Sequence, residues 1–337
     1  MKYFVGLDVH WAFTVICILD EHGREVKSRT VHGPWSEVAS ALRELEGRVE
    51  VCYEASLGYG YLYDWLRQVA ERVVVAHPGH LRLIFRSKRK NDRVDARKLA
   101  KLLYLGEVPT VHVPGAKVRE WRQLIEHRGR IIAKRTRTKN SLRSLLRSLG
   151  IQTPRGLWTR RGVKWLAELE LPALCAVRRD MSLEELDVFN RQLRQVEKVL
   201  TDYSKRHPAV QLLRTIPGVG IRTAEAVVAY LDDPRRFRSN KSIGCYFGLV
   251  PTQDQSARTN RLGHITKEGP ATVRRLLCEA TWQAIRRSPT VNRYFERIRH
   301  QDKERKKIAL VATIHYLARV MHAMLRQGQP WREAQAA

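Results

Sequence analysis

Asp8, Glu54, Asp92 and Asp95 stand where a metal-dependent phosphoryl transfer would need carboxylates. Asp8 closes one short apolar run, Tyr3 to Asp8, and Glu54 follows a second, Val49 to Tyr53, so each falls at the end of an expected strand. Asp92 and Asp95 are three apart in a segment patterned as a helix, which turns both to one helical face. Carboxylate oxygens suit Mg²⁺ or Mn²⁺, and two such ions can stabilise the attacking and leaving oxygens of a phosphodiester displacement. Each acid also has a plainer use, Asp8 as a strand-end cap and the Asp92–Asp95 pair as a solvated helix face beside Arg93 and Arg97. The order of the surrounding elements is what favours a shared metal site.

Those elements read as α/β. Tyr3 to Asp8 and Phe13 to Leu19 form a hairpin closed by Asp20-Glu21-His22-Gly23, and a third strand spans Val26 to Val31. A helix over Ser36 to Leu45, the strand at Val49 to Tyr53, a helix over Tyr61 to Ala70 and a strand at Arg72 to Ala76 follow. After a basic stretch at Arg86 to Lys90, a helix over Asp92 to Leu103 completes a central sheet with helices packed on it.

Beyond Pro114 the pattern changes to long helices, about Lys117 to Leu149 and Ser182 to Lys205, broken by a loop at Pro154 and Gly156. Leu124, Ile131, Leu142 and Leu145 recur at helical spacing, giving a coiled-coil-like arm. From His207 a compact helical region opens on Leu212 to Ala224, which resembles a helix-hairpin-helix. Gly218 and Gly220 there would leave amides of the next helix free to hold a phosphate, although G-x-G also occurs in ordinary turns. The expected domains are 1–112, 113–206 and 207–330.

Composition bounds the partners. Among 337 residues, 62 Lys and Arg against 34 Asp and Glu leave a net charge of +28, spread along the chain, and this points to a nucleic-acid backbone. No stretch approaches the roughly 20 continuous apolar residues of a membrane span, and no signal-peptide core is seen, so the cytoplasm is the expected location. Cys17, Cys52, Cys175, Cys245 and Cys278 form no C-x-x-C pair and are expected to be buried free thiols; the histidines lack zinc spacing.

Gly6-Leu7-Asp8-Val9-His10, Tyr53-Glu54-Ala55-Ser56 and Lys90-Asn91-Asp92-Arg93-Val94-Asp95-Ala96 together resemble the DEDD motif of the insertion-sequence-110 family of transposases, relatives of pilin-gene inverting recombinases. Ile216 to Gly220, Phe247 to Pro251, Gln255-Ser256 and Gly263 to Gly269 are similar to that family's second block. The resemblance implies a RuvC-like ribonuclease-H fold holding Mg²⁺ or Mn²⁺ on Asp8, Glu54, Asp92 and Asp95. It also implies a serine nucleophile at Ser256, forming a phosphoserine and a free DNA hydroxyl that retain the bond energy for rejoining. Arg258, Arg261 and Lys267 would contact the phosphate backbone or stabilise charge in its displacement. Ala257 stands where the family commonly has glycine, and Ser242 and Thr252 are alternative nucleophiles. A structured non-coding bridge RNA, donor and target DNA, and further copies of the chain in a dimer or tetramer are the implied partners. The competing readings are a RuvC-like junction nuclease that uses water and a non-catalytic nucleic-acid binder.

Overall fold

Continuous apolar runs in the first strands, buried at successive positions, give a sheet that is covered on both faces. In the computed structural model β1 (Lys2–Val9), β2 (Phe13–Leu19), β3 (Glu25–His32), β4 (Arg48–Glu54) and β5 (Arg72–Ala76) lie in the order β3-β2-β1-β4-β5. β1 and β2, and β2 and β3, pair antiparallel; β1 with β4 and β4 with β5 pair parallel. The structure describes residues 1–56, 58–84, 91–256 and 259–334, so the basic stretch at Arg86 to Lys90, together with Ala257 and Arg258, lies outside the described residues. Contacts divide the chain into two units, Met1–Arg119 and Glu120–Ala337.

In the first unit, Val5, Leu7, Ile16, Ile18, Val51 and Tyr53 meet α1 (Trp35–Arg43) and α2 (Tyr59–Leu66) on one face. On the other, Phe4, Val15, Cys17 and Cys52 pack with Ala96, Leu99, Ala100 and Leu103 of α4 (Asp92–Leu105), which follows the short α3 (Pro78–Ile84). Because strand side chains alternate with period two, Gly6 and Asp8 share the α4 face with Phe4, and Glu54 shares it with Cys52. Gly6 is where helix and strand come closest: a Cβ there would lie 2.0 Å from the Ala96 carbonyl oxygen and 2.4 Å from the Ala100 nitrogen. Asn91 fixes the start of α4 by accepting hydrogen bonds from the Arg93 and Val94 amides.

The second unit is built on α5 (Ala116–Ser148) and α7 (Ala173–Ser204), which run antiparallel. Arg128 pairs with Glu197, Arg135 with Asn190, Thr138 with Glu185 and Ser141 with Arg178, so partners descend on one helix as they ascend on the other. Leu186, Leu193 and Leu200 are buried at seven-residue spacing along the seam. The sequence pattern missed α6 (Arg160–Glu168) and started α7 at Ser182, because the first two turns of α7 leave Leu174, Val177 and Met181 exposed and so carry no buried stripe. A core of Trp121, Ile125 and Leu200 with α8 (Pro208–Arg214), α9 (Ile221–Leu231), α10 (Ser242–Tyr246), α11 (Ala271–Arg287) and α13 (Lys306–Gln327) completes it, with α12 (Pro289–Arg299) against α13.

Three expectations are corrected. The helical domain expected from His207 onward, mostly helical as read, also contains a two-stranded hairpin, β6 (Pro251–Ser256) and β7 (Thr259–Ile265). Cys245 is exposed, and Cys175 and Cys278 are half-buried; Cys17 and Cys52 are buried, and burial pushes their thiols up to about 11 and about 12. By length and composition α13 could cross a membrane, with a mean hydropathy of 1.5, but it buries Thr313, Leu317, Ala318, Met321 and His322 inside the protein, as a core helix does.

Gly6→Ala is expected to lower unfolding stability by at least about 1–3 kcal/mol, since backbone cannot yield to an added methyl as a side chain can. Gly115→Ala, with nothing within 4 Å of its added Cβ, should change stability by no more than about 1 kcal/mol. Urea unfolding of the two variants compares them directly, and equal losses would contradict the close approach of α4 to β1.

Candidate active site

The strand alternation and the first turn of α4 bring acids together. Asp8 Oδ2 lies 3.3 Å from His10 Nε2, and Asp92 Oδ2 lies 3.6 Å from the same nitrogen. One ligand atom from each of Asp8, His10 and Asp92 falls within a 4.8 Å group. His10 stacks on Phe13, ring centroids 4.6 Å apart, which fixes the imidazole at the end of β1. Asp95 accepts a 3.0 Å hydrogen bond from Lys98 and is close enough to act on Asp8 electrostatically. Burial holds the Asp8 carboxyl above its ordinary pKa; His10 opposes this, while the Asp92 and Asp95 charges add to it. Carboxylates that crowd one another in this way, beside an imidazole, fit a divalent cation, which would relieve their repulsion.

Glu54 ends β4, parallel to β1, where Gly6 faces Cys52 and Leu7 faces Tyr53. Continuing that register places Glu54 beside Asp8 on the α4 side of the sheet, although it is exposed and outside the Asp8–His10–Asp92 group. His10 is the residue that sequence reading missed as a potential ligand. It sat inside the quoted motif two positions from Asp8, a separation that in a regular strand returns a side chain to the same face.

Ser256 ends β6, exposed, with its Oγ 2.6 Å from Thr259 Oγ1 across the hairpin. Thr252 lies within β6 and donates to the His264 carbonyl, and Ser242 begins α10. Arg261 pairs with Asp254 in the strand register, and Arg258 lies outside the described residues. Below the hairpin, two separated sequence blocks interlock. Gly248 and Gly269 have φ of +62° and +69°, and added Cβ atoms would fall 2.2 Å from the Glu268 oxygen and 2.1 Å from the Tyr246 oxygen. The Lys267 amide donates to the Gly248 carbonyl, and Arg274, also missed from sequence, donates to the carbonyls of Phe247, Glu268 and Gly269.

Comparison with known proteins resolves what this pairing of an acid-bearing sheet and a serine-bearing hairpin represents. A DEDD transposase model of the IS110 type matches residues 5–151, and a model described as the transposase IS116/IS110/IS902 family matches residues 210–296. The chain belongs to the IS110 family of transposases. Over 296 residues it is 29% identical to a Sinorhizobium fredii protein named as a transposase, y4qE, covering 83% of this chain and 71% of that one. It is 26% identical over 293 residues to the transposase for insertion sequence element IS1111A of Coxiella burnetii, covering 84% and 78%. A more distant relative is the pilin gene-inverting protein of Moraxella lacunata, 29% identical over 122 residues, 36% of this chain and 38% of that protein. The mixed five-stranded sheet is thus the ribonuclease-H-like DEDD region of an IS110-family transposase, a region that implies a divalent metal, and a mostly helical region follows it.

Within this transposase the two hairpin glycines do different work. Gly218, at φ +89°, lies so close to α11 that a Cβ would be 2.5 Å from the Ala284 nitrogen, so packing alone requires it. Gly220 caps α9 with open space beside it, leaving that helix N-terminus accessible. One turn into α9, Glu225 is buried, accepting a 2.7 Å hydrogen bond from Ser204 and pairing at 3.0 Å with Arg222, which also donates to Thr201. Burial pushes the Glu225 carboxyl up to about 7, against the opposing pull of Ser204, Arg222 and Arg128.

Folded Glu225 keeps a proton that an unfolded glutamate releases near 4.5, so its contribution is full below that pH and is lost as pH rises to about 7. Glu225→Gln should therefore be more stable relative to the parent at pH 8 than at pH 5. Thermal unfolding of both across that range checks this, and parallel pH profiles would refute it.

Proposed function

We propose that this transposase cuts and rejoins DNA strands by two-part chemistry, with Asp8, Glu54, Asp92 and Asp95 holding Mg²⁺ or Mn²⁺ and Ser256 acting as nucleophile. The observation that carries the reading is the convergence of Asp8, His10 and Asp92 at the end of β1, with Asp95 one turn along the same helix face. A divalent cation held there supplies charge neutralisation at the phosphate undergoing displacement. Ser256 Oγ bonds to phosphorus as the P–O bond to the leaving DNA oxygen breaks, so the chain holds a phosphodiester while the DNA end leaves as a hydroxyl. Attack of a DNA hydroxyl on that phosphoserine reverses the exchange and frees the serine, and no high-energy cofactor is consumed.

Residues 1–112 serve as the metal domain, 113–206 as the arm and 207–330 as the serine-bearing domain. Arg261, Lys267 and Arg258 contact the DNA backbone near the serine, and the α9 N-terminus at Gly220, with Gly218 shaping the turn, takes a phosphate. A structured non-coding RNA pairs with donor and target DNA, a partner to which a charge of +28 is suited. The enzyme works in the cytoplasm as a homo-oligomer. A two-stranded hairpin with every strand residue exposed or only half-buried has little to order it alone, and this supports a site completed by DNA and a second copy.

Asp8→Asn and Asp95→Asn should abolish strand cleavage while nucleic-acid binding persists, as should excess chelator with the parent chain; full activity in either case would remove the metal reading. Ser256→Ala should bind DNA yet form no covalent adduct on a nicked suicide substrate resolved in a denaturing gel. An adduct in that variant would move the nucleophile to Ser242 or Thr252, and cleavage by the parent with no adduct at all would favour a water-driven nuclease.

A further inference from the structure

A ridge of aromatic rings stands at the end of the sheet that carries the acids, and no step described above uses it. Trp11, in the turn between β1 and β2, is 84% exposed, and Tyr61, near the start of α2, is 59% exposed. Trp11 and Trp35 have ring centroids 6.0 Å apart at 78°, Trp35 and Tyr61 6.0 Å at 42°, and Tyr61 and Trp65 6.4 Å at 62°. Gly33, Gly58 and these rings line a cavity of about 770 Å³, within the roughly 300–1,000 Å³ usual for ligand sites. Isolated surface hydrophobics need no explanation, but a contiguous aromatic patch marks a binding surface.

The ridge is preorganised. Gly58 caps α2 at φ +79°, and a Cβ there would lie 2.4 Å from the Trp35 ring, so the glycine makes room for the indole. The Gly33 amide donates to the Ala12 carbonyl and ties the Trp11 turn to the loop that leads to Trp35. Topology also fixes its place. β1, β3 and β4 all run in the same direction, so the loops leaving their C-terminal ends emerge at one end of the sheet. At those strand ends and the segments that follow them stand His10 and Trp11, Gly33 and Trp35, and Glu54 and Gly58 respectively. The acids face α4 and the ridge is built on α1 and α2, so a strand crossing this end would meet the acids with a phosphate and the ridge with neighbouring bases.

We propose that Trp11, Trp35 and Tyr61 form a stacking platform for unpaired bases of a DNA strand whose backbone reaches the acid cluster. Bases within a duplex cover one another's faces, whereas unstacked bases offer π-faces to aromatic side chains whatever their sequence. DNA, rather than RNA or a peptide, is the occupant because the ridge stands at the same end of the sheet as the acids assigned to DNA cleavage and because the chain's charge suits a polyanion. The inference rests on the strand-cutting function proposed above.

The test uses the full chain in chelator, so that binding is read without cleavage, with single-stranded DNA carrying 2-aminopurine, the matching single-stranded RNA and the matching duplex. Trp11→Ala and Tyr61→Ala, both at exposed positions, should each weaken single-stranded DNA binding by about 5-fold or more and relieve 2-aminopurine quenching. Trp11→Phe and Tyr61→Phe should restore most of the affinity, and duplex binding should stay within about twofold by the same stacking argument. Unchanged single-strand affinity in the alanine variants, an equal loss on duplex, or a loss confined to RNA would each overturn the platform. Since no cleavage is measured, a failure of the strand-cutting reading leaves these outcomes intact; conversely, a ring variant with unaltered single-strand affinity sinks the platform alone.

Discussion

The approach of α4 to β1 is the constraint on which the acid cluster depends. Only a residue without a side chain at position 6 lets the Ala96 carbonyl and Ala100 amide lie against the strand, and only at that separation does the first turn of α4 reach the end of β1. Small residues on both sides serve the contact, since Ala96 and Ala100 are fully buried beneath the sheet while Asp92 and Asp95 stay half-exposed at the rim. Acids in the first turn also suit the positive end of the helix dipole, which offsets part of their mutual repulsion. One packing contact thus sets the distances of the site, and the strand period decides which side chains share them.

In the second unit, order is concentrated at the base of the hairpin rather than in it. Gly248, Gly269 and Arg274 lock Phe247 to Gly269 through backbone contacts that leave no room for larger residues, while β6 and β7 themselves bury almost nothing. The contacts that fix this region therefore end at the base of the hairpin, and Ser256 lies beyond them at the end of β6. The hairpin surface remains available to whatever it engages.

The positive charge divides along similar lines. Several arginines are committed to carbonyl groups at helix ends, where unpaired acceptors would otherwise face solvent or apolar surroundings. Arg122 donates to Ala229 and Tyr230, Arg236 to Tyr230 and Leu231, and Arg179 to Leu166 and Leu169. Such side chains hold helices together and are partly withdrawn from any phosphate, so the net charge overstates the surface that nucleic acid can use.

What the chain alone determined is whatever depends on local periodicity. Apolar runs placed β2 and β5 to the residue, the order of strands and helices implied the sheet, and three-residue spacing put Asp92 and Asp95 on one helix face. The ordered motifs carried the family. What only the tertiary structure decided is which distant residues meet and which glycines are structural. His10 joined the acids because a strand end and a helix start were brought together, not through any spacing typical of metal ligands. Gly218, read as a phosphate-loop glycine, proved to be required by Ala284, sixty-six positions away along the chain. The aromatic ridge was invisible because Trp11, Trp35 and Tyr61 come from three separate loops and helices. Local patterns reflect the backbone's own repeat, whereas these contacts arise from the order and direction in which strands pair, and no short window of sequence contains that.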